Sequence, residues 1–227
     1  MRYLCTLLLL AGLMSGADPL RVVLVVGGHD YDNSLHSVFE GQKEFTTYVM
    51  PHPPAFRQDL RQRFDVVILY DMVQDPGPKI KENLQAFIES GKGCIVLHHA
   101  VADYNDWPWF RQMAGCAYLL KPEGSMPAST FKHDEWIDYK VVMKHPVTEG
   151  VSSGRIYDEV YKGMWHSPDN KVLLEANHPL SDKPVAWLSP YSKARVVTIL
   201  LGHGRESHEN PNFQRLVRNA IQWVAAR

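Results

Sequence analysis

Histidines stand directly after three of the strands that this sequence predicts: His29 after the first, His98 and His99 after a central one, and His203 after the last. Imidazole exchanges protons near neutral pH and also binds metal ions, so it suits acid–base or metal chemistry. The carboxyl ends of parallel strands meet at one edge of a sheet, where such folds bind ligands. A single strand-end histidine is typical of a surface loop, but three such positions together predict one shared pocket.

Apolar runs and helical periodicity predict the elements that hold these histidines. Pro78 and Pro211 each open an amphipathic helix. The alternation of strand and helix predicts an α/β fold with a doubly wound, mainly parallel sheet and helices on both faces. Short alternating runs between Tyr118 and Tyr191 predict antiparallel strands added at one edge. The predicted strands of the parallel sheet are residues 20–26, 45–50, 65–70, 93–97 and 195–201.

The first 17 residues have the pattern of a secretory signal peptide. Arg2 is followed by the apolar run 5–14 and by small residues at 15–17. The run is shorter than the ~20 residues that a membrane-spanning helix needs. A buried first strand or helix is the alternative, but Asp18-Pro19 separates the run from a better strand. We therefore expect residues 18–227 to form a single domain that is exported and is periplasmic or secreted.

The bulk composition limits the classes of partner. The formal charge is -1, without basic runs, which argues against a nucleic-acid binder. Apolar residues make up 45% of the chain, as in ordinary globular proteins. Cys94 and Cys116 remain after the predicted peptide, and Cys94 lies within a predicted core strand, so it is expected to be an apolar filler. A small-molecule partner is expected, and a homo-oligomer is one possible state of assembly.

Motifs spread from Val22 to Trp223 resemble those of the ThuA-like (trehalose utilisation) family, a branch of the class I glutamine amidotransferase-like superfamily. The motifs are Gly27-Gly28-His29, Gly93-Cys94-Ile95-Val96-Leu97-His98-His99-Ala100, Trp107-Pro108-Trp109-Phe110, His145-Pro146-Val147-Thr148, Asp158-Glu159-Val160-Tyr161, Pro184-Val185-Ala186-Trp187 and Leu201-Gly202-His203-Gly204. Each motif is weak alone, but the ordered set is fairly specific.

The resemblance implies a flavodoxin-like sheet with a pocket at its carboxyl edge. It places His98 where glutaminases hold their nucleophilic cysteine, and members often read His-Ser-Ala where this chain reads His98-His99-Ala100. Imidazole offers no thiolate for attack on an amide, so glutaminase activity is not expected. The family context points to sugars, particularly oxidised (3-keto) glycosides in disaccharide breakdown.

We therefore expect a sugar-acting enzyme that works by histidine acid–base chemistry. Removal of a proton beside a ketone needs a base, and the carbonyl oxygen needs an acid or a cation. His98 is expected at the exposed tip of its strand, where truncation would empty no core. The expected catalytic residues are His98, Glu159 and His203. The expected substrate-binding residues are His29, His99, Asp103, Trp107, Trp109 and Tyr161; Trp136 and Trp165 also offer flat faces for sugar rings.

Two alternatives stay open. A divalent metal such as zinc could be bound by residues among His29, His98, Glu159 and His203, although no close-spaced ligand motif occurs. The protein could also be a non-catalytic sugar-binding module, which would not need several imidazoles. His52 and His145 are expected in a loop and a turn without a role in the site. The role of His133 is left open.

Overall fold

The computed structural model describes residues 18–226. The predicted signal peptide, residues 1–17, lies outside the described residues. Within them, no helix is both long enough and apolar enough to cross a membrane.

Nine strands form one mixed sheet in the order β2-β1-β3-β4-β11-β10-β9-β6-β7, and β5 pairs with β8 in a separate ribbon. The first five strands in this order are parallel, and the remaining ones are antiparallel. The strands are β1 Leu20–Gly27, β2 Phe45–Pro51, β3 Val66–Asp71, β4 Gly93–Leu97, β5 Cys116–Ala117, β6 Thr130–Val141, β7 Gly154–Lys162, β8 Trp165–His166, β9 Lys171–Asn177, β10 Pro184–Leu188 and β11 Val196–Ile199.

The central strands are covered on both faces. Every residue of β3 and β4 is buried, which explains why these runs are apolar throughout and do not alternate. Pro78 opens the first helix, and the Asn210 side chain caps the last one by accepting two backbone N–H groups. The helices are α1 Pro78–Glu89, α2 Pro108–Ala114, α3 Arg205–His208 and α4 Pro211–Ala225.

The predicted fold class is confirmed: a mainly parallel flavodoxin-like sheet carries an antiparallel extension at one edge. A 3₁₀ helix, Asn33–Val38, follows β1, and Asp32 caps it. The Asp32 carboxylate accepts the Ser34 N–H, as the preceding residue of such a turn commonly does.

The antiparallel extension curls back over the carboxyl ends of the parallel strands. Strand β7 is the last in the sheet order, well separated from β4. Nevertheless the Asp158 carboxylate of β7 accepts the backbone N–H groups of Gly202 and His203, at 2.7 and 2.9 Å. The edge strand thus closes over the loop that follows β11. The sheet thus brings residues that are distant in sequence to one place.

Cys94 is fully buried in β4, and burial raises the pKa of its thiol. We expect Cys94→Ala to lower the free energy of unfolding by about 1 kcal/mol, because the truncation leaves a small cavity. Chemical denaturation of the wild type and the variant measures this loss. A variant as stable as the wild type would contradict the expected cavity.

Candidate active site

The turn after β4 places His98 at the centre of the site. A 3₁₀ turn, His98–Ala102, begins at this residue, and His98 itself has φ 52°, a left-handed conformation that costs free energy for a residue with a Cβ. Strain of this kind concentrates at functional sites. The expectation of an exposed tip was wrong: His98 is 0% exposed, because the extension covers it.

A backbone hydrogen bond fixes the tautomer of His98. Its Nδ1–H donates to the Leu200 carbonyl, 2.7 Å away, since a carbonyl oxygen can only accept. Its Nε2 faces the Tyr161 hydroxyl at 3.0 Å and Glu159 Oε2 at 2.9 Å. The nitrogen that points into the site is therefore the one that can bind a proton or a metal ion.

Strand β7 supplies Glu159 and Tyr161. Residues two apart on a strand share one face, so both side chains point to the same side. The Tyr161 hydroxyl donates to Glu159 Oε2 at 2.8 Å. Burial opposes ionisation of Glu159, but hydrogen bonds from His98 and Tyr161 and the charge on His98 outweigh it and lower its pKa. Glu159 is accordingly a carboxylate at neutral pH.

His203 completes a compact triad with His98 and Glu159. Its Nδ1 lies 3.1 Å from His98 Nε2 and 3.4 Å from Glu159 Oε2. The hydrogen bonds from the neighbouring backbone to Asp158 hold its loop. Its side chain is 30% exposed, so a ligand can reach it.

The pKa values of the two triad histidines move in opposite directions. Burial opposes a charge on His98, but the hydrogen bond to Glu159 and the charges of Asp158 and Glu159 raise its pKa. Burial and the charge on His98 lower the pKa of His203. Such a divergence between adjacent groups is typical of acid–base sites.

The triad is also a possible metal site. One ligand atom from each of His98, Glu159 and His203 lies within 4.8 Å of the others. Two imidazoles and a carboxylate are a common zinc ligand set that leaves a coordination position open. The His98 hydrogen bond to Leu200 is the outer contact that orients a metal-binding imidazole. A carboxylate and imidazole lone pairs this close need a cation between them, either a proton or a metal ion.

A pocket of about 260 Å³ opens beside the triad. Its walls are His29, Met72, His99, Val101, Ala102, Tyr118, Leu120, Phe131, His133, Glu159 and Tyr161. The His29 and His99 rings stack with centroids 4.7 Å apart. Burial and the charges of His98 and His29 lower the pKa of His99 to about 2, so this ring is neutral; its Nε2–H donates to the Tyr70 carbonyl at 3.2 Å.

The structure brings together His29, His98, His99, Glu159, Tyr161 and His203. Three residues expected to bind substrate lie elsewhere. Trp107 and Trp109 pack against each other, with ring centroids 4.6 Å apart, and Trp109 donates to Tyr191 and Glu89. Neither residue lines the pocket: Trp107 is the residue before helix α2, and Trp109 lies in its first turn. Asp103 belongs to a separate buried cluster. Trp136 and Trp165 are not pocket residues either.

Beneath the pocket, Asp103 joins His52, Asp71 and Tyr104 in a buried polar cluster. His52 lies in the turn after β2, as expected, but it is buried there: its Nδ1 is 2.6 Å from Asp71 Oδ2, which makes it a structural partner of this carboxylate. The Asp103 carboxyl accepts the Val73 N–H. Burial and the negative charge of Asp71 raise the pKa of Asp103 well above its usual range. Burial beside Asp71 therefore favours the protonated, neutral form of Asp103.

We expect Asp103→Asn to become progressively more stable than the wild type as the pH rises above about 4. A raised folded-state pKa means that the stability from Asp103 is full below its unfolded pKa and is lost as the pH rises through the folded pKa. Asparagine stays neutral and does not show this loss. Urea denaturation at pH 5 and pH 8 measures the free energy of unfolding of both proteins. If the difference between the variant and the wild type is the same at both pH values, the raised pKa is contradicted. Asp103→Ala should lower the free energy of unfolding by about 1–3 kcal/mol, because it loses the hydrogen bond from Val73.

Sequence reasoning missed several residues of the site. His133 lies 3.1 Å from His203 and 3.6 Å from Glu159, yet its role was left open. Phe131 and His133 are two residues apart, which indicates a shared face of β6, but nothing indicated that this face meets the pocket. Asp158 was seen only as part of a motif. These residues contact the site because the antiparallel strands β6 and β7 close over the carboxyl ends of the parallel strands. No local pattern in the sequence predicts this closure.

The parallel sheet, the helices that cover it and the polar site at its carboxyl edge define an α/β protein with a flavodoxin-like fold. The chain belongs to the ThuA family, described as trehalose utilisation, whose model matches residues 22–224. No curated protein matches it significantly.

Solved structures share this fold at low sequence identity. A ThuA-like protein from Parabacteroides merdae is 18% identical with a TM-score of 0.79, covering 92% of this chain and 90% of that one. A ThuA-like protein from Bacteroides uniformis is 18% identical with a TM-score of 0.72, covering 92% and 93%. PurLQS from Thermotoga maritima is 15% identical with a TM-score of 0.61, covering 91% and 99%.

Proposed function

We propose that this protein is an enzyme of disaccharide utilisation that acts on oxidised (3-keto) sugars, with His98, Glu159 and His203 as its reaction centre. The observation that carries the proposal is the convergence of His98 Nε2, Glu159 Oε2 and His203 Nδ1 beside a pocket with aromatic walls. Aromatic faces suit the C–H surfaces of sugar rings. The family, described as trehalose utilisation, supports a sugar as the substrate. Histidine stands where a glutaminase has its cysteine, so we do not propose amide hydrolysis.

The three residues have separate roles in this proposal. His203 takes the proton from the carbon beside the ketone; the C–H electron pair forms the enolate, and protonated His98 donates from Nε2 to its oxygen. Glu159 stabilises the positive charge on His98. The enolate is then protonated at carbon, giving isomerisation, or expels the group on the next carbon, giving elimination. The products distinguish these reactions.

A second candidate function uses the same residues to hold a divalent metal, as in a metal-dependent sugar hydrolase or isomerase. The specific observation is the spacing of the three ligand atoms within 4.8 Å, together with the fixed tautomer of His98. A metal there would polarise a carbonyl or a bound water. The residues present fit zinc better than magnesium, because imidazole is a ligand of zinc.

The deciding experiment is an assay of the purified protein on 3-keto-glycosides and their unoxidised parents, with and without a chelator. Turnover of the keto forms that survives chelation supports acid–base chemistry. Turnover lost on chelation and restored by zinc supports the metal. Binding without turnover would show a sugar-binding module, and neither binding nor turnover would overturn both candidates.

We also propose that the protein acts outside the cytoplasm, on the signal-peptide pattern of residues 1–17. Protein recovered from its native host should begin near Asp18. Soluble cytoplasmic protein that retains Met1 would contradict this proposal.

A further inference from the structure

Two large apolar side chains are exposed at the rim of the candidate pocket. Leu120 is 51% exposed and Phe131 is 55% exposed, and both belong to the pocket wall that includes Glu159. Scattered exposed apolar residues are ordinary on protein surfaces. Two at the mouth of a site, continuous with it, indicate contact with an apolar group of the ligand.

The His133 ring lies between the reaction centre and the rim residue Phe131. The His133 ring centroid is 4.5 Å from that of His203 and 5.1 Å from that of Phe131. A ligand whose reacting ring contacts His203 would extend past His133 to reach Phe131. The rim is thus placed to contact a group attached to the reacting sugar, and not the reacting ring itself.

The chemistry of the rim suits an apolar group better than a second sugar. Leu120, Phe131 and Met72 carry no strong hydrogen-bonding side-chain group, and the Tyr118 hydroxyl already donates to the Ser129 carbonyl at 3.1 Å. A second sugar brings several hydroxyls, and each one buried without a partner costs free energy. An aryl or alkyl group carries no such cost.

We infer that Leu120 and Phe131 bind the apolar aglycone of an aryl or alkyl glycoside whose sugar ring lies in the pocket. The inference rests on the proposed function for the sugar ring. It adds a substrate class that differs from a disaccharide, and it makes the rim a determinant of specificity.

The test compares phenyl and methyl 3-keto-glucosides as substrates, and phenyl and methyl glucosides as calorimetric ligands. We expect kcat/KM for the phenyl compound to exceed that for the methyl compound by about 10- to 100-fold, from the apolar area buried. Phe131→Ala should reduce this preference by about tenfold, through a larger loss for the phenyl compound than for the methyl compound. Its side chain is exposed, so truncation empties no core.

Trp136→Ala is the matched control. Trp136 lies on the same strand, β6, with the same exposed fraction of 55%, but outside the pocket wall. It should leave the phenyl preference intact. Equal kcat/KM for the two substrates, or equal losses in both after Phe131→Ala, would overturn the inference.

Two further outcomes separate this inference from the proposed function. If no glycoside turns over, the proposed function fails, but tighter binding of phenyl than of methyl glucoside that Phe131→Ala abolishes still supports the rim. If the two bind alike, the rim inference fails. A change in oligomeric state with Phe131→Ala and no change in phenyl preference would show that a second copy of the chain covers the rim.

Discussion

His98→Asn is expected to lower kcat on a 3-keto-glycoside by about two to four orders of magnitude while the chain still folds. Asparagine can still donate a hydrogen bond toward the Leu200 carbonyl, but it has no atom that can take a proton or bind a metal as Nε2 does. His98 is fully buried, so alanine would add a cavity and confuse the result. Initial rates and thermal unfolding measure activity and fold separately.

His145→Asn is the control for this variant. The His145 Nδ1 accepts the Val147 N–H and caps a 3₁₀ turn, Pro146–Thr148, away from the pocket. Asparagine is itself a good cap, so stability and activity should stay near wild type. A folded His98→Asn protein with wild-type kcat would remove His98 from the reaction.

Glu159→Gln is expected to reduce kcat by about 100-fold or more with little change of shape. Glutamine keeps the volume but removes the negative charge that faces His98 Nε2 at 2.9 Å and His203 Nδ1 at 3.4 Å. A charge held in a buried site acts strongly on a neighbouring imidazole. Steady-state kinetics measure the loss, and Glu175→Gln on β9, outside the pocket wall, should leave kcat unchanged.

The same variant separates the two candidate mechanisms. Equilibrium dialysis against zinc measures how much metal the wild type and the variant bind. Stoichiometric binding by the wild type that Glu159→Gln weakens at least about tenfold supports the metal site. Equal, weak binding by both supports the acid–base reaction. Wild-type kcat in Glu159→Gln would contradict both mechanisms.

The parallel half of the fold could be predicted from the sequence because it is encoded locally. Strands buried on both faces read as continuous apolar runs, and the residues after them lie at one edge of the sheet. This rule for the ends of parallel strands was enough to predict that His29, His98 and His203 share one pocket. Glu159 and Tyr161 came from the family motif.

The rest of the site depends on long-range geometry. Strand β6 pairs with β7 through a register shift between Lys132 and Glu135, and Asp134 there has φ 63°. A shift of one residue reverses the faces of a strand, so alternation alone could not place His133 or Phe131. The prediction for Asp103 was wrong for a related reason. Its position after the turn His98–Ala102 suggested that it faces the pocket, but it is buried beside Asp71 instead.

The position of β7 at the end of the sheet makes the site sensitive to partial unfolding. Edge strands open more easily than central ones, and here the opening of one edge would separate Glu159 from His98 while the parallel strands stay folded. Assembly of the candidate site and global folding are therefore distinct equilibria in this chain. The apparent affinity for a ligand that contacts both residues therefore depends on the fraction of molecules in which the edge is closed, and the bound ligand stabilises the closed state.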